Sequence, residues 1–284
     1  MTALHDEVAA ILKRGSITSV VAEADRIVHA AKSSKLTDHE SAARAMAERR
    51  ATGVPLAYVV GYQAFMGIEL IAAEGALAPR EETELLGNTA LDALRSTYCV
   101  TPRLIDMCCG SGNLACAIAY HLPGVRVWAS DLTDGCIAVT RRNVEHIGVS
   151  DRVVVTQGDL FAGLAGLGLE GSIDAVVCNP PYISQGKLAT ALAELLDHEP
   201  REAFDGGPYG LSIHQRVVKE ALPFLRPGGT LLFEIGLGQE RQVKMLFDRA
   251  KAYDNIRLVS NASSEVRVVS GRKRAESTAI VDIG

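Results

Sequence analysis

From residue 103 onward the chain repeats one unit, a short apolar run followed by a longer amphipathic stretch. The runs Arg103–Met107, Val125–Ser130, Arg152–Thr156, Ile173–Cys178, Thr230–Ile235, Ile256–Ser260 and Glu265–Val269 read as strands. Apolar residues at helical spacing predict helices near 113–122, 134–147, 187–197, 212–226 and 239–250. Such alternation closes only as a parallel sheet with helices on both faces, because parallel neighbours need a long crossover. In an open sheet of that kind ligands bind beyond the carboxyl ends of the strands. The segments that follow each strand are therefore where chemistry is expected.

The residues before 103 follow other rules. Val8, Ile11 and Leu12, then Val20, Val21, Ala24, Ile27 and Val28, recur at helical spacing. Thr37 with Glu40 three residues on fits a capping box, and a third helix runs to Arg49-Arg50 before Gly53 and Pro55 stop it. Tyr58-Val59-Val60, Phe65-Met66 and Ile68 to Ile71, punctuated by Gly61 and Gly67, read as a hairpin. The expected organisation is a small helical domain over 1–55, a β-hairpin linker over 56–78 and a main α/β domain over 79–284. That last domain opens with Pro79-Arg80-Glu81-Glu82-Thr83-Glu84, acidic in its first turn as the helix dipole favours.

Several function classes are disfavoured. A net charge of −5 gives no general nucleic-acid surface, and at 5% aromatics stacking of bases on exposed rings is not the expected mode of binding. The short basic run Arg272-Lys273-Arg274 reads as a solvated loop. None of the six cysteines forms a Cys-x-x-Cys pair and the histidines are scattered, so no metal is expected. Most of the cysteines lie within apolar patterns, as small buried hydrophobes of a reducing compartment. With no secretory signal and no apolar run of membrane-spanning length, the expectation is a cytoplasmic protein without a membrane partner.

The first strand of the main domain runs into Asp106-Met107-Cys108-Cys109-Gly110-Ser111-Gly112-Asn113-Leu114-Ala115. Glycines between a strand and a helix let backbone amides approach a ligand closely. Gly110, Gly112 and Ala115 fit the dinucleotide pattern Gly-x-Gly-x-x-Gly/Ala, but Asp106 just upstream would repel a pyrophosphate. Asp131 ends the second strand about twenty residues after the glycines, where an acid accepts from ribose hydroxyls. Asp159, followed by Leu160 after the third strand, is placed to accept from an adenine amino group. Each acid alone is an ordinary strand-end residue. Together they suit a ligand with ribose, adenine, a cationic centre and no phosphate, which is S-adenosylmethionine.

The fourth strand, Ala175-Val176-Val177-Cys178, stops at Asn179-Pro180-Pro181-Tyr182. An amide nitrogen is a poor nucleophile, since its lone pair is delocalised into the carbonyl. Methylating it requires two acceptors that grip the NH2 hydrogens, with no competing donor. The Asn179 side-chain carbonyl and the Pro180 backbone carbonyl supply the acceptors, the prolines stiffen them and contribute no N–H, and Tyr182 offers a flat wall. The tetrapeptide would serve any planar amine.

The chain resembles the protein-(glutamine-N5) methyltransferases that modify the Gly-Gly-Gln loop of peptide-chain release factors. The resemblance rests on Gly53-Val54-Pro55-Leu56-Ala57-Tyr58, Gly61, Phe65, Pro79-Arg80 with Glu82-Thr83-Glu84, and Asp106 with Gly110-Ser111-Gly112. It continues through Asn179-Pro180-Pro181-Tyr182-Ile183, Glu199-Pro200, Gly206-Gly207, Gly210-Leu211, Pro227-Gly228-Gly229, Glu234-Ile235-Gly236 and Gln239. It implies a Rossmann-like class I S-adenosylmethionine-dependent methyltransferase sheet. It implies cofactor contacts at Asp106, Cys108, Cys109, Gly110, Ser111, Gly112, Asp131, Asp159, Leu160 and Asn179. Catalysis falls on Asn179, Pro180, Pro181 and Tyr182, and substrate contacts on Phe65, Arg80, Glu82, Thr83 and Glu199, with the helical domain and hairpin docking a release factor.

The chain departs from the family pattern at Cys108, usually glycine, at Glu81, usually proline, at Tyr209, usually acidic, and at Leu160, where some members carry an aromatic. Two other readings are weighed against release-factor methylation: transfer to a small-molecule amide or amine, and a non-catalytic scaffold that binds the cofactor or nothing.

Overall fold

The computed structural model describes residues 3–35, 37–188 and 199–275. The expected helix at 187–197 is seen only as the short α8 (Gln185–Leu188), the rest lying outside the described residues.

Three helices, α1 (Ala3–Arg14), α2 (Val20–Ser33) and α3 (His39–Ala51), pack around Val8, Leu12, Ile27, Ala31, Ala43 and Ala47. Alanine on α3 lets the backbones come close. At Gly15 the approach is closest, since a Cβ there would stand 2.6 Å from the Ala51 backbone. The start of α3 differs from expectation: Asp38, not Thr37, caps it, accepting from Ser41 N at 2.9 Å. A carboxylate one residue later reaches the free amide and complements the helix dipole.

Leu56–Val60 is a short helix, α4, and not a strand; Gly61 ends it in the left-handed conformation at φ 87°. The hairpin is therefore shorter than expected, β1 (Tyr62–Phe65) against β2 (Ile68–Ile71). Its two-residue turn, Met66-Gly67, has both φ angles positive, at 47° and 78°, matching the twist of the strands. The hairpin does not hang between two bodies. Phe65, Met66, Ile68 and Leu70 share a core with Leu86, Leu91, Leu114 and Ile118 of the main domain. Asn143, on α7 (Asp134–Ile147), clamps it by accepting from Ile71 N at 2.7 Å and donating to Ile71 O at 3.1 Å.

After α5 (Glu84–Arg95), the main sheet contains β3 (Arg103–Met107), β4 (Arg126–Asp131), β5 (Val153–Gln157), β6 (Ile173–Cys178), β7 (Leu225–Glu234), β8 (Tyr253–Ser260) and β9 (Val266–Lys273). The strand order is β5-β4-β3-β6-β7-β9-β8. All seven expected strands are present. The sheet is not wholly parallel, because β9 runs antiparallel between β7 and β8. The reason is local: β8 and β9 are joined by the short turn at Asn261–Ser264, which suits a hairpin and is far too short for a crossover. The basic run expected in a loop, Arg272 to Arg274, reaches into β9, where Lys273 Nζ donates to Leu222 O and Leu225 O at 2.8 Å.

Central strands bury both faces. Leu104, Ala175 and Val177 face α5 and α6 (Asn113–His121), while Ile105, Met107, Val176 and Phe233 face the α9 (Ser212–Glu220) and α10 (Glu240–Ala250) side. Opposite faces take alternate residues, so a strand covered on both sides reads as an unbroken apolar run. The strand order reverses between β3 and β6, where Met107 pairs with Cys178. The segments after these two strands, Cys108 onward and Asn179 onward, emerge side by side at the switch point. Among the described residues no helix is long and apolar enough to cross a membrane.

Candidate active site

The two segments line one cavity of about 420 Å³. Its walls include Cys108, Gly110, Ser111, Asp131, Leu160 and Asn179, closed on the other side by Pro79, Arg80 and Pro200 to Ala203.

The glycine turn is held by its own backbone and by close neighbours. Cys108, Gly110 and Gly112 all have positive φ, at 59°, 56° and 75°. Gly110 N donates to Asp131 Oδ2 at 2.9 Å, and Gly112 N to Cys109 O at 2.7 Å. Thr140 Oγ1 donates to Gly110 O at 2.9 Å. At Gly112 glycine is obligatory on two counts, since the φ is left-handed and a Cβ would stand 2.7 Å from Thr140 Cγ2. Around Gly110 the Cβ position is open space.

Asp131 lies at the end of β4, where Gly110 N reaches one carboxylate oxygen and Leu132 N (2.8 Å) and Thr133 N (3.3 Å) the other. A carboxylate has about four acceptor positions. Three are used, which leaves capacity toward the cavity.

Asp106 is placed differently from expectation. It is fully buried, it is not among the residues lining the cavity, and its Oδ2 accepts from Ala115 N at 2.9 Å at the start of α6. Burial, with the nearby Asp131 charge, pushes its pKa up to about 8, against the Ala115 hydrogen bond. Its Oδ1 and the buried Ser111 Oγ have no partner. Asp159 does line the cavity, but its carboxylate is already paired with Arg216 Nη1, at 2.9 and 3.1 Å. Both side chains are about half exposed, so the pair contributes little to stability and water competes for it. Leu160, also at positive φ (50°), is buried against the cavity.

Of the tetrapeptide, Asn179 and Pro181 line the cavity, whereas Pro180 is buried behind them. Asn179 Nδ2 donates to Thr83 Oγ1 at 3.2 Å. Tyr182 is not on the cavity wall: its hydroxyl donates to Glu234 Oε1 at 3.4 Å, and burial beside that carboxylate pushes its pKa up to about 12. The Tyr182 backbone is fixed as well, because Gln239 Nε2 donates to Tyr182 O at 3.0 Å. Gly210 must lack a side chain, as a Cβ would lie 2.3 Å from Tyr182 O.

The five expected substrate residues divide. Arg80 and Thr83 line the cavity; Phe65, Glu82 and Glu199 do not. Phe65 is wholly in the core, an apolar ring in an apolar site. Glu199 is buried and accepts from Arg80 Nη2 (2.6 Å), Tyr58 Oη (3.4 Å) and Ala78 N (3.4 Å), which ties α4 and the Pro79-Arg80 segment to the chain beyond the tetrapeptide. Sequence reasoning gave no role to Glu234, Gln239, Arg216 or Thr140. For Glu234 a signal was present, a charged residue ending the apolar run Leu231-Leu232-Phe233.

The residues fit S-adenosylmethionine. The glycine turn leaves open space at Gly110, Asp131 retains acceptor capacity, Leu160 supplies an apolar wall, and the buried Ser111 hydroxyl lacks a partner. The Asp131 carboxylate beside the turn would oppose a pyrophosphate. Of the six cysteines, Cys109, Cys116, Cys136 and Cys178 are buried, and no three His, Cys, Asp or Glu side chains among the described residues could hold a metal.

The comparisons agree with the geometry. The family model "Methyltransferase small domain" matches residues 86–208. The release factor glutamine methyltransferase of Moorella thermoacetica is 37% identical over 229 residues, 81% of this chain and 78% of that protein. That of Caulobacter vibrioides is 33% identical over 267 residues, 94% of this chain and 86% of that one. Two solved structures share the fold. A methyltransferase from Pyrococcus furiosus has TM-score 0.52 and 15% identity over 75% of this chain and 92% of that one. The hMettl16 catalytic domain in complex with MAT2A 3'UTR hairpin 6 has TM-score 0.57 and 16% identity over 81% and 83%. A glycine turn and an Asn-Pro-Pro-Tyr strand end that face one cavity, in a chain this similar to those relatives, lead to one conclusion: the chain belongs to the release factor glutamine methyltransferase family.

Proposed function

We propose that this chain methylates the side-chain amide nitrogen of the glutamine in the Gly-Gly-Gln loop of a peptide-chain release factor. S-adenosylmethionine, when bound, supplies an electrophilic methyl group on a cationic sulphur. That methyl would pass to the amide nitrogen held by this chain, its bond to sulphur breaking with the electron pair left on sulphur, and the nitrogen would then lose one proton to water.

The chain's own residues account for the rest. Gly110, Ser111 and Asp131 would hold the cofactor, with Leu160 against its base. Asn179 Oδ1 on the cavity wall and, from behind it, the Pro180 carbonyl would grip the two amide hydrogens and aim the nitrogen, and the prolines make that geometry stiff before the substrate arrives. No general base is needed before transfer, since the proton leaves after the new bond has formed.

The observation that carries the reading is the pairing of Met107 with Cys178, which sets the cofactor turn and Asn179 on adjacent strand ends around one cavity. A second depression, of about 380 Å³, favours a protein loop over a small molecule. It shares Ala78, Pro79 and Arg80 with the cavity wall and extends to Arg26, Arg50 and Gln63 of the helical region and hairpin. We assign residues 1–55 as the docking module on that ground, with the hairpin as its mount, and we place the protein in the cytoplasm with its substrate.

The test is transfer of labelled methyl from the cofactor to a purified release factor. Incorporation is expected with the intact factor and none when Gln→Ala replaces the loop glutamine. Label that persists in the Gln→Ala factor, or its absence from both while the cofactor still binds, overturns the reading.

A further inference from the structure

The grip on the substrate works in one orientation of Asn179 only. A side-chain amide can turn over, exchanging its carbonyl oxygen for an NH2 of nearly the same shape. In the wrong orientation Asn179 would present donors to a substrate nitrogen that needs acceptors. The neighbours in sequence cannot decide this, because Pro180 and Pro181 have no N–H with which to hold the oxygen.

Besides Gln239 on the Tyr182 backbone, two residues from other parts of the chain bond side chains of the tetrapeptide. Thr83, buried at the start of α5, accepts from Asn179 Nδ2 at 3.2 Å. A hydroxyl could equally donate to the oxygen of a turned amide, so Thr83 alone does not set the orientation. What sets it is the destination of the hydroxyl proton. Glu234, at the end of β7 and 3% exposed, lies against Thr83; burial pushes its carboxyl above the usual range, and the Thr83 hydroxyl and the Arg267 charge beside it act the other way. Glu234 Oε1 takes Tyr182 Oη at 3.4 Å, while Oε2 has no formed hydrogen bond and is the acceptor available to Thr83. The Arg267 guanidinium, 3.6 Å from Oε1, favours the ionised carboxylate against that burial, and an ionised carboxylate only accepts. With the hydroxyl proton directed to it, Thr83 Oγ1 has lone pairs alone to offer, and those match the NH2 of Asn179.

The carboxylate is itself held in place. Arg267 Nη2 lies 3.6 Å from Oε1, and both side chains are nearly buried. Its backbone carbonyl accepts from the buried His214 Nε2 at 3.3 Å, and the strand is paired on either side, Cys178 with Phe233 and Glu234 with Val268. A carboxylate at the end of an apolar run is costly to bury without partners, and Tyr182 and Arg267 are its partners.

We propose that Thr83 and Glu234 are positioning residues: they turn the Asn179 amide nitrogen into the protein, leave Oδ1 as the substrate's acceptor, and through Tyr182 hold the far end of the tetrapeptide. The inference rests on the reading of Asn179 as an acceptor for the substrate. Thr83, expected from the resemblance to contact substrate directly, acts instead through Asn179.

The experiment compares Thr83→Val, which keeps the shape and removes the hydroxyl, with Thr83→Ser, which keeps the hydroxyl. Methyl transfer to a release factor gives kcat and KM, and calorimetry with S-adenosylhomocysteine gives cofactor affinity. Thr83→Val is expected to lower kcat about 10- to 100-fold, the cost of a misplaced reacting group, with cofactor affinity within about twofold. Thr83→Ser is expected to remain within about threefold of the parent. A purely structural role would instead weaken folding and cofactor binding alike. Thr83→Val at parental kcat, Thr83→Ser as defective as Thr83→Val, or an equal loss of cofactor affinity overturns the proposal. Asn179→Ala run alongside separates the two readings. Turnover that survives Asn179→Ala removes the acceptor reading itself; turnover lost there but intact in Thr83→Val removes only the positioning role.

Discussion

The two halves of the cavity are built by opposite means. The turn from Cys108 to Gly112 is fixed close to home, by its own backbone bonds, by positive φ angles and by the next strand and helix, which give Asp131 and Thr140. The tetrapeptide has almost no local support. Its Asn179 and Tyr182 are held by Thr83, 96 residues away, Glu234, 52 away, and Gln239, 57 away. A cofactor that is the same at every turnover suits a self-contained cradle. An acceptor pair that must meet a protein substrate is instead wired into α5, β7 and the turn after it, elements that reach well beyond the cavity.

The largest test of that contrast is Asn179→Ala. It removes an acceptor used in the transfer and nothing in the turn. Loss of a preorganised hydrogen-bonding group of this kind costs about 10²- to 10³-fold in kcat. S-adenosylhomocysteine affinity, measured by calorimetry, should change by less than about threefold. A large drop in cofactor affinity would mean that the halves are not separately built.

The same contrast explains what could be read before folding was considered. The turn was legible because its determinants are contiguous: Gly110 and Gly112 at fixed spacing, and acids at the ends of the next strands. Asn-Pro-Pro-Tyr was legible as chemistry for a similar reason, being four adjacent residues with an unusual shortage of N–H donors. Its supports were not, since no spacing rule connects residue 83 or 234 to residue 179. That Asp106 lies off the cavity wall was not legible, because sequence order shows which end of a strand a residue occupies and not which way its side chain turns. Its carboxylate goes to Ala115 N and stays buried. Phe65 is likewise off the wall, its ring wholly in the core. In the sheet, the strands were plain from their apolar runs, whereas the reversed direction of β9 depended only on the length of one turn.

Gly112→Ala is the matching break in the other half. The new methyl meets Thr140 Cγ2 at 2.7 Å and forces an alanine to a φ of 75°. Overpacking of this kind and the left-handed backbone together cost about 2 to 4 kcal/mol. Thr140 also holds Gly110 O, so displacement should reach the cofactor. The expected outcome is a lower melting temperature and weaker S-adenosylhomocysteine binding, with kcat at saturating cofactor and substrate reduced far less than in Asn179→Ala. A turn variant whose main defect is in kcat would contradict the division.

The smallest effect lies at Cys108, where this chain departs from the glycine usual in its family. The structure places it at a φ of 59°, a conformation glycine adopts freely and other residues do not. The thiol contributes something in return, since it contacts the buried Cys178 thiol, and that contact and burial hold its pKa above the usual range. Comparing Cys108→Gly with the parent would mix these two effects. Cys108→Ala and Cys108→Gly both lose the thiol, and they differ mainly in backbone strain and chain flexibility. Left-handed strain of about 1 to 2 kcal/mol, less the extra unfolded-state entropy of glycine at about 0.5 to 1 kcal/mol, leaves the glycine variant ahead. Thermal denaturation should place Cys108→Gly above Cys108→Ala by up to about 1.5 kcal/mol. An alanine variant of equal or greater stability would show that the turn bears no strain at this position, and that a side chain there is tolerated because the loop relaxes around it.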